Sequence, residues 1–82
     1  MERKKLLNRI SVNPKVMVGQ AVIKGTRLTV HYILGQLGQG VSMEEIMEEY
    51  KGLKKEDIHA CLLFASQTME DSTYLPLVEK AV

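Results

Sequence analysis

Few side chains in this sequence could do chemistry: His31, His59, Cys61 and the carboxylates between Glu44 and Asp57. His59 and Cys61 are two residues apart on a stretch with helical spacing. They therefore point about 200° apart and cannot chelate one metal ion from that helix. Cys61 falls on an apolar stripe, which suits a small buried hydrophobe better than a nucleophile. No glycine-rich loop has phosphate-cradling spacing. The glutamates after Ser42 look like a solvated helix face rather than a general-acid pair. The sequence therefore predicts no catalytic residue, no metal ligand and no cofactor, and a protein that is not an enzyme.

The remaining chemistry is binding. The net charge of +1 conceals an asymmetry. Arg3, Lys4, Lys5, Arg9, Lys15, Lys24 and Arg27 face one acid, Glu2, in residues 1–31. Residues 42–57 hold Glu44, Glu45, Glu48, Glu49, Glu56 and Asp57 against Lys51, Lys54 and Lys55. A basic N-terminal third suits a polyanion or an acidic protein, or else it is a solvated, dipolar surface. The pI of 7.9 lies below the ~9 typical of strongly basic nucleic-acid domains. Candidate phosphate contacts are Arg3, Lys4, Lys5, Arg9, Lys54 and Lys55.

The elements that would position these groups are legible in outline. Ile10 and Val12 alternate with polar residues and run into Asn13-Pro14, as a short strand enters a turn. Residues 15–18 form a second extended candidate, closed by Gly19. Ala21-Val22-Ile23 followed by Gly25-Thr26-Arg27 suggests a hairpin or a strand-to-helix corner. There Gly25 would take a positive φ, Thr26 would bond the backbone, and Arg27 would pair with an acid or carbonyls. Thr29 is a plausible N-cap for a helix over 30–38, with Val30, Ile33, Leu34 and Leu37 on one stripe. Ser42 with Glu45 makes a capping box, and Val41 with Ile46 a hydrophobic staple, for a helix over about 43–50. A third helix runs over about 55–70. Lys54 is a poor cap for it, partly offset by Glu56 and Asp57. Its expected core stripe is Ile58, Cys61, Leu62, Ala65 and Met69. Leu63 and Phe64 fall outside that stripe, so the apolar face is wider than a small monomer needs. The tail YLPLVEKAV carries Tyr74 and Leu75, with Pro76 placed to begin a last helical turn.

The chain of 82 residues is expected to form one domain: a β-arm and corner over 1–29, a three-helix core over 30–70 and a tail over 71–82. The fold class is mainly α with a small N-terminal β-arm and a helix-turn-helix core, its turn being KGLKK. In that layout Lys54, Lys55, Glu56 and His59 would face a major groove, with no Arg or Asn to read purines. One cysteine excludes an intrachain disulfide and suits a reducing cytosol. No apolar run approaches the ~20 residues that span a bilayer, and the N-terminus lacks the apolar core of a secretory signal.

The order of motifs resembles a known family. NPKVMVGQAVIKGTRLTV, then GVSMEEI, then Tyr50, then EDIHACL are similar to the family numbered 433 among the prokaryotic domains of unknown function, often described as antitoxin-like. The likeness spans about residues 10–65. Ala21 stands where the pattern has proline, and Gly52-Leu53-Lys54 replaces its Pro-x-Leu-Thr turn. The resemblance implies a homeodomain-like helical core behind a β-arm, dimerisation, and pairing with a ribonuclease toxin of PIN-like fold. The expected function is that of an antitoxin that binds its toxin and, as a dimer, its own operator DNA in the cytoplasm. The rival is a dimeric interaction module with no nucleic-acid contact; a stand-alone transcription factor comes third. Leu63, Phe64, Tyr74 and Leu75 are the candidate dimer or partner contacts.

Overall fold

The structure, a computed structural model, describes residues 3–12 and 20–71. The element order is α1 (Arg3–Leu7), β1 (Ile10–Val12), β2 (Ala21–Ile23), α2 (Val30–Gly38), α3 (Met43–Glu49) and α4 (Lys55–Asp71). It is mostly helical with a small N-terminal hairpin. The expected extended segment over 15–18 and the tail with Tyr74 and Leu75 lie outside the described residues.

β1 and β2 pair antiparallel, with Ile10 opposite Ile23 and Val12 opposite Ala21. The two-residue period puts these four on one face, where Ile10, Ala21 and Ile23 are buried. The chain then doubles back. Gly25 adopts φ +79°, which an L side chain rarely accepts. The Thr26 hydroxyl donates to the Ile23 carbonyl at 2.8 Å and accepts from the Leu28 amide at 3.0 Å. The Ile23 amide donates to the Leu28 carbonyl at 2.9 Å. The return segment, bridged from Thr29 to Val22, therefore covers the outer edge of β2. Arg27 departs from expectation. It is exposed and makes no ion pair or hydrogen bond among the described residues; Gly25, Thr26 and the Ile23–Leu28 backbone bond close the turn without it.

Thr29 caps α2, its side chain accepting from the Tyr32 amide at 2.9 Å. The helix closes with Gly40 at φ +97°, the Gly40 amide donating to Leu37 and the Val41 amide to Gln36, a paired arrangement that satisfies two orphan carbonyls. The capping box of α3 is present in both directions: the Ser42 amide donates to Glu45 Oε1 at 2.8 Å, and the Glu45 amide donates to Ser42 Oγ at 3.1 Å. The two expected helix spans are met to within a residue.

The core lies where the hairpin, α2, α3 and α4 meet. Ile33, Ile46, Ile58 and Cys61 are its fully buried large side chains. Each buried isoleucine contributes roughly 1.5–3 kcal/mol relative to exposure, enough to hold a seven-residue helix that could not stand alone.

Two further features depart from the sequence reading. The first is α1, which was not expected and is too short to persist without tertiary contacts. The second is the rotation of α4. Ile58 and Cys61 face the core as expected, but Leu62 is 45 % and Met69 59 % exposed. The inward residues are Asp57, Ile58, Ala60, Cys61 and half-buried Phe64. Apolar types occur nearly all round this helix, so periodicity left its phase loosely defined.

Candidate interaction surface

α4 is the element around which the surface is built, and its start depends on Asp57. Lys54 has no acceptor side chain to cap the helix. Asp57, at the third helical position, accepts from the Lys54 amide through Oδ2 at 2.9 Å, which is half a capping box. Its other oxygen, Oδ1, accepts from Arg9 Nη1 at 2.9 Å. Asp57 is 8 % exposed and is, among the described residues, the buried charged side chain. Arg9, expected to contact phosphate, thus joins the end of the N-terminal segment to the start of α4.

The same segment follows α4 along its length. Arg3 Nε donates to Gln67 Oε1 at 3.3 Å, and Arg3 Nη2 lies 3.7 Å from Glu70. Leu6 packs against the core and lines a trough with His59, Leu62, Leu63 and Ser66. Arg3 therefore meets Gln67 and Glu70, and Arg9 meets Asp57, so the segment runs antiparallel to α4. Lys4 and Lys5 stay exposed on α1, as do Lys54 and Lys55 at the start of α4. None of these four lysines has a side-chain partner among the described residues.

Two grooves flank α4. One, of about 530 Å³, is lined by Ala21, Val30, Leu34, Phe64, Ala65 and Met69, together with the polar side chains of His31 and Thr68. The other is the shallow trough between Leu6 and the outward face of α4. Of the candidate contact residues, Leu63 borders the second groove and Phe64 the first, so the two do not share one surface.

Among the described residues no three His, Cys, Asp or Glu side chains converge where a metal ion could sit. The Cys61 thiol is fully buried, and burial followed by the nearby Asp57 charge pushes its pKa up to about 12. A contact absent from the sequence reading ties α2 to α3. The Tyr32 and Tyr50 hydroxyls lie 2.8 Å apart, and the rings meet edge to face at 6.1 Å. The hydrogen bond to Tyr32, and secondarily desolvation, raises the Tyr50 pKa to about 12.

Residues 10–65, from β1 through most of α4, match the family model described as protein of unknown function (DUF433). The chain belongs to this family. The match contains the Gly25-Thr26-Arg27 corner and the Ser42 capping box, and ends before Ser66, Gln67 and Glu70; α1 precedes it. Comparison with curated proteins and with solved structures found no match. Among the described residues no helix is long and apolar enough to cross a membrane.

Proposed function

We propose that this DUF433 protein is a non-catalytic binding protein of the antitoxin type, whose partner is a ribonuclease toxin of PIN-like fold. The observation that carries the binding reading is the surface of α4. Leu62 and Met69 stand exposed on a helix whose core face is already filled, and Phe64 and Ala65 are only half covered. Apolar surface left outside a filled core suits the docking of another protein. The toxin identity comes from the motif resemblance. The 530 Å³ groove between α2 and α4 is the toxin-facing site in this reading.

The test is co-expression with the product of the neighbouring reading frame, followed by co-purification and a ribonuclease assay. Complex formation and loss of nuclease activity are expected. Met69→Glu, at an exposed position, should weaken the complex at least tenfold without unfolding the protein. Undiminished nuclease activity with no complex would reject the reading.

Operator binding is the second reading, favoured by the four exposed lysines. Arg3 and Arg9 are engaged on α4, so Lys4, Lys5, Lys54 and Lys55 would supply the phosphate contacts. Four contacts per chain give a loss of about 10² in affinity between 50 and 200 mM salt. With Leu62 at the centre of the outward face of α4, base reading would be slight. No retardation of operator DNA even at 50 mM salt would leave the protein-only reading.

A further inference from the structure

We infer that the groove between α2 and α4 is occupied, in the free chain, by the chain's own residues 74–78, with Leu75 and Leu77 entering it. This goes beyond the partner reading and does not depend on it.

The groove and the segment match in chemistry. The groove, of about 530 Å³, has mostly apolar walls, and among the described residues no Asp, Glu, Lys or Arg lines it. It falls in the range of roughly 300–1,000 Å³ of clefts that hold small ligands. A charged peptide would find no counter-charge there. The segment STYLPLV, from Ser72 to Val78, carries no charge, and charged residues resume only at Glu79 and Lys80. Pro76 has no amide proton to leave unpaired against an apolar wall.

The reach also matches. Phe64, Ala65, Thr68 and Met69, which line the groove, are three and four residues apart in pairs and so share one side of α4. The helix ends at Asp71, and Phe64 lies about 10 Å back along its axis at 1.5 Å per residue. An extended chain at about 3.3 Å per residue covers that distance in three residues. Ser72 and Thr73 are suited to the turn. Leu75 then comes beside Thr68 and Met69, and Leu77 beside Phe64. Alternate residues of an extended chain face the same way, so both leucines enter together. So short a link gives the segment an effective concentration on the order of millimolar at the groove.

Met69, 59 % exposed on one wall, is the side chain that the two leucines would cover. A partner that takes the groove displaces the segment first.

The test uses the full chain with a nitroxide on Glu79→Cys; Cys61 is fully buried and stays unlabelled. The amide signals of Ala21, Val30 and Leu34, across the groove from α4, should lose most of their intensity. Adding Leu75→Asp and Leu77→Asp should restore them. A mixture of isotope-labelled chain without nitroxide and unlabelled chain with it should show no broadening. The second measurement needs no label. Oxidation of Met69 by dilute hydrogen peroxide, followed by mass spectrometry, should be at least about threefold faster in the Leu75→Asp, Leu77→Asp variant, with Met47 unchanged as reference. Full intensity at Ala21, Val30 and Leu34 in the nitroxide chain overturns the inference. So does a Met69 rate indifferent to the two aspartates, which leaves the groove to another segment or another protein. Broadening in the mixture as strong as within the chain assigns the groove to a second copy's segment and overturns it too. Neither readout involves a nuclease, so a failed neutralisation assay leaves the inference standing, and its own failure leaves the partner reading standing.

Discussion

Cutting the link between Arg9 and Asp57 should destabilise the protein more than any other exchange of a polar side chain. Asp57→Ala removes three interactions together. The Lys54 amide loses its acceptor at 2.9 Å, a capping contact worth about 1 kcal/mol. A negative charge leaves the first turn of α4, worth roughly 0.3–1 kcal/mol. Arg9 loses the carboxylate at 2.9 Å, and a hydrogen bond between charged groups contributes about 1.5–3 kcal/mol. The Arg9 side chain is 31 % exposed, so solvent recovers part of that contribution, and the lower figure applies. The total is about 3 kcal/mol, or a fall in Tm on the order of 15 °C for a domain this small. Asp57→Asn keeps an acceptor for the Lys54 amide and should lose about half as much. Arg9→Ala should cost about 1.5 kcal/mol. Urea unfolding of the two single variants and the double variant, at one fixed protein concentration, gives the coupling energy between the two residues. A value above about 1 kcal/mol is expected. Additivity within about 0.3 kcal/mol would refute the claim that Arg9 acts through Asp57.

Three further outcomes follow from the local geometry. Ser42→Ala removes the acceptor for the Glu45 amide and should cost about 1 kcal/mol in urea unfolding, with α3 released first in hydrogen exchange. Cys61 should resist thiol reagents in the folded protein at pH 8 and react at once in denaturant. Its raised pKa favours the neutral thiol in the fold, so this contribution to stability is complete below about pH 9 and declines as pH rises from there toward 12. Tyr32→Phe should bring the spectrophotometric titration of Tyr50 down from about 12 toward 10, since the side-chain hydrogen bond with Tyr32, which favours the neutral Tyr50 hydroxyl, is the main cause of its shift.

What could be foreseen from the residues was whatever local bonding determines. Ser42 and Glu45, Thr29, and Gly25 with Thr26 each act within four residues of themselves, and each is found as the spacing predicts. The long-range devices were hidden. Arg9 and Asp57 are 48 positions apart, and nothing in either neighbourhood points to the other. The only hint was the missing cap at Lys54, which required some acceptor nearby. α1 was hidden because RKKLL is too short to show a helical period; it is held by Leu6 and Arg3 against a helix more than fifty residues away. The phase of α4 was ambiguous because Leu62, Leu63 and Phe64 are consecutive and cover most directions around the axis. Of the candidate surface, Lys4, Lys5, Lys54 and Lys55 are exposed, with no side-chain partner among the described residues, while Arg3 and Arg9 are engaged. Leu63 and Phe64 border different grooves.

The central claim is that this chain acts by occupying another protein rather than by chemistry of its own. A ribonuclease assay on the neighbouring gene product, with and without this chain at equal concentration, tests it most directly. The account predicts nuclease activity alone, its loss on addition of the chain, and its return when the added chain carries Met69→Glu. Nuclease activity unchanged by a folded, stoichiometric excess of the chain would contradict it.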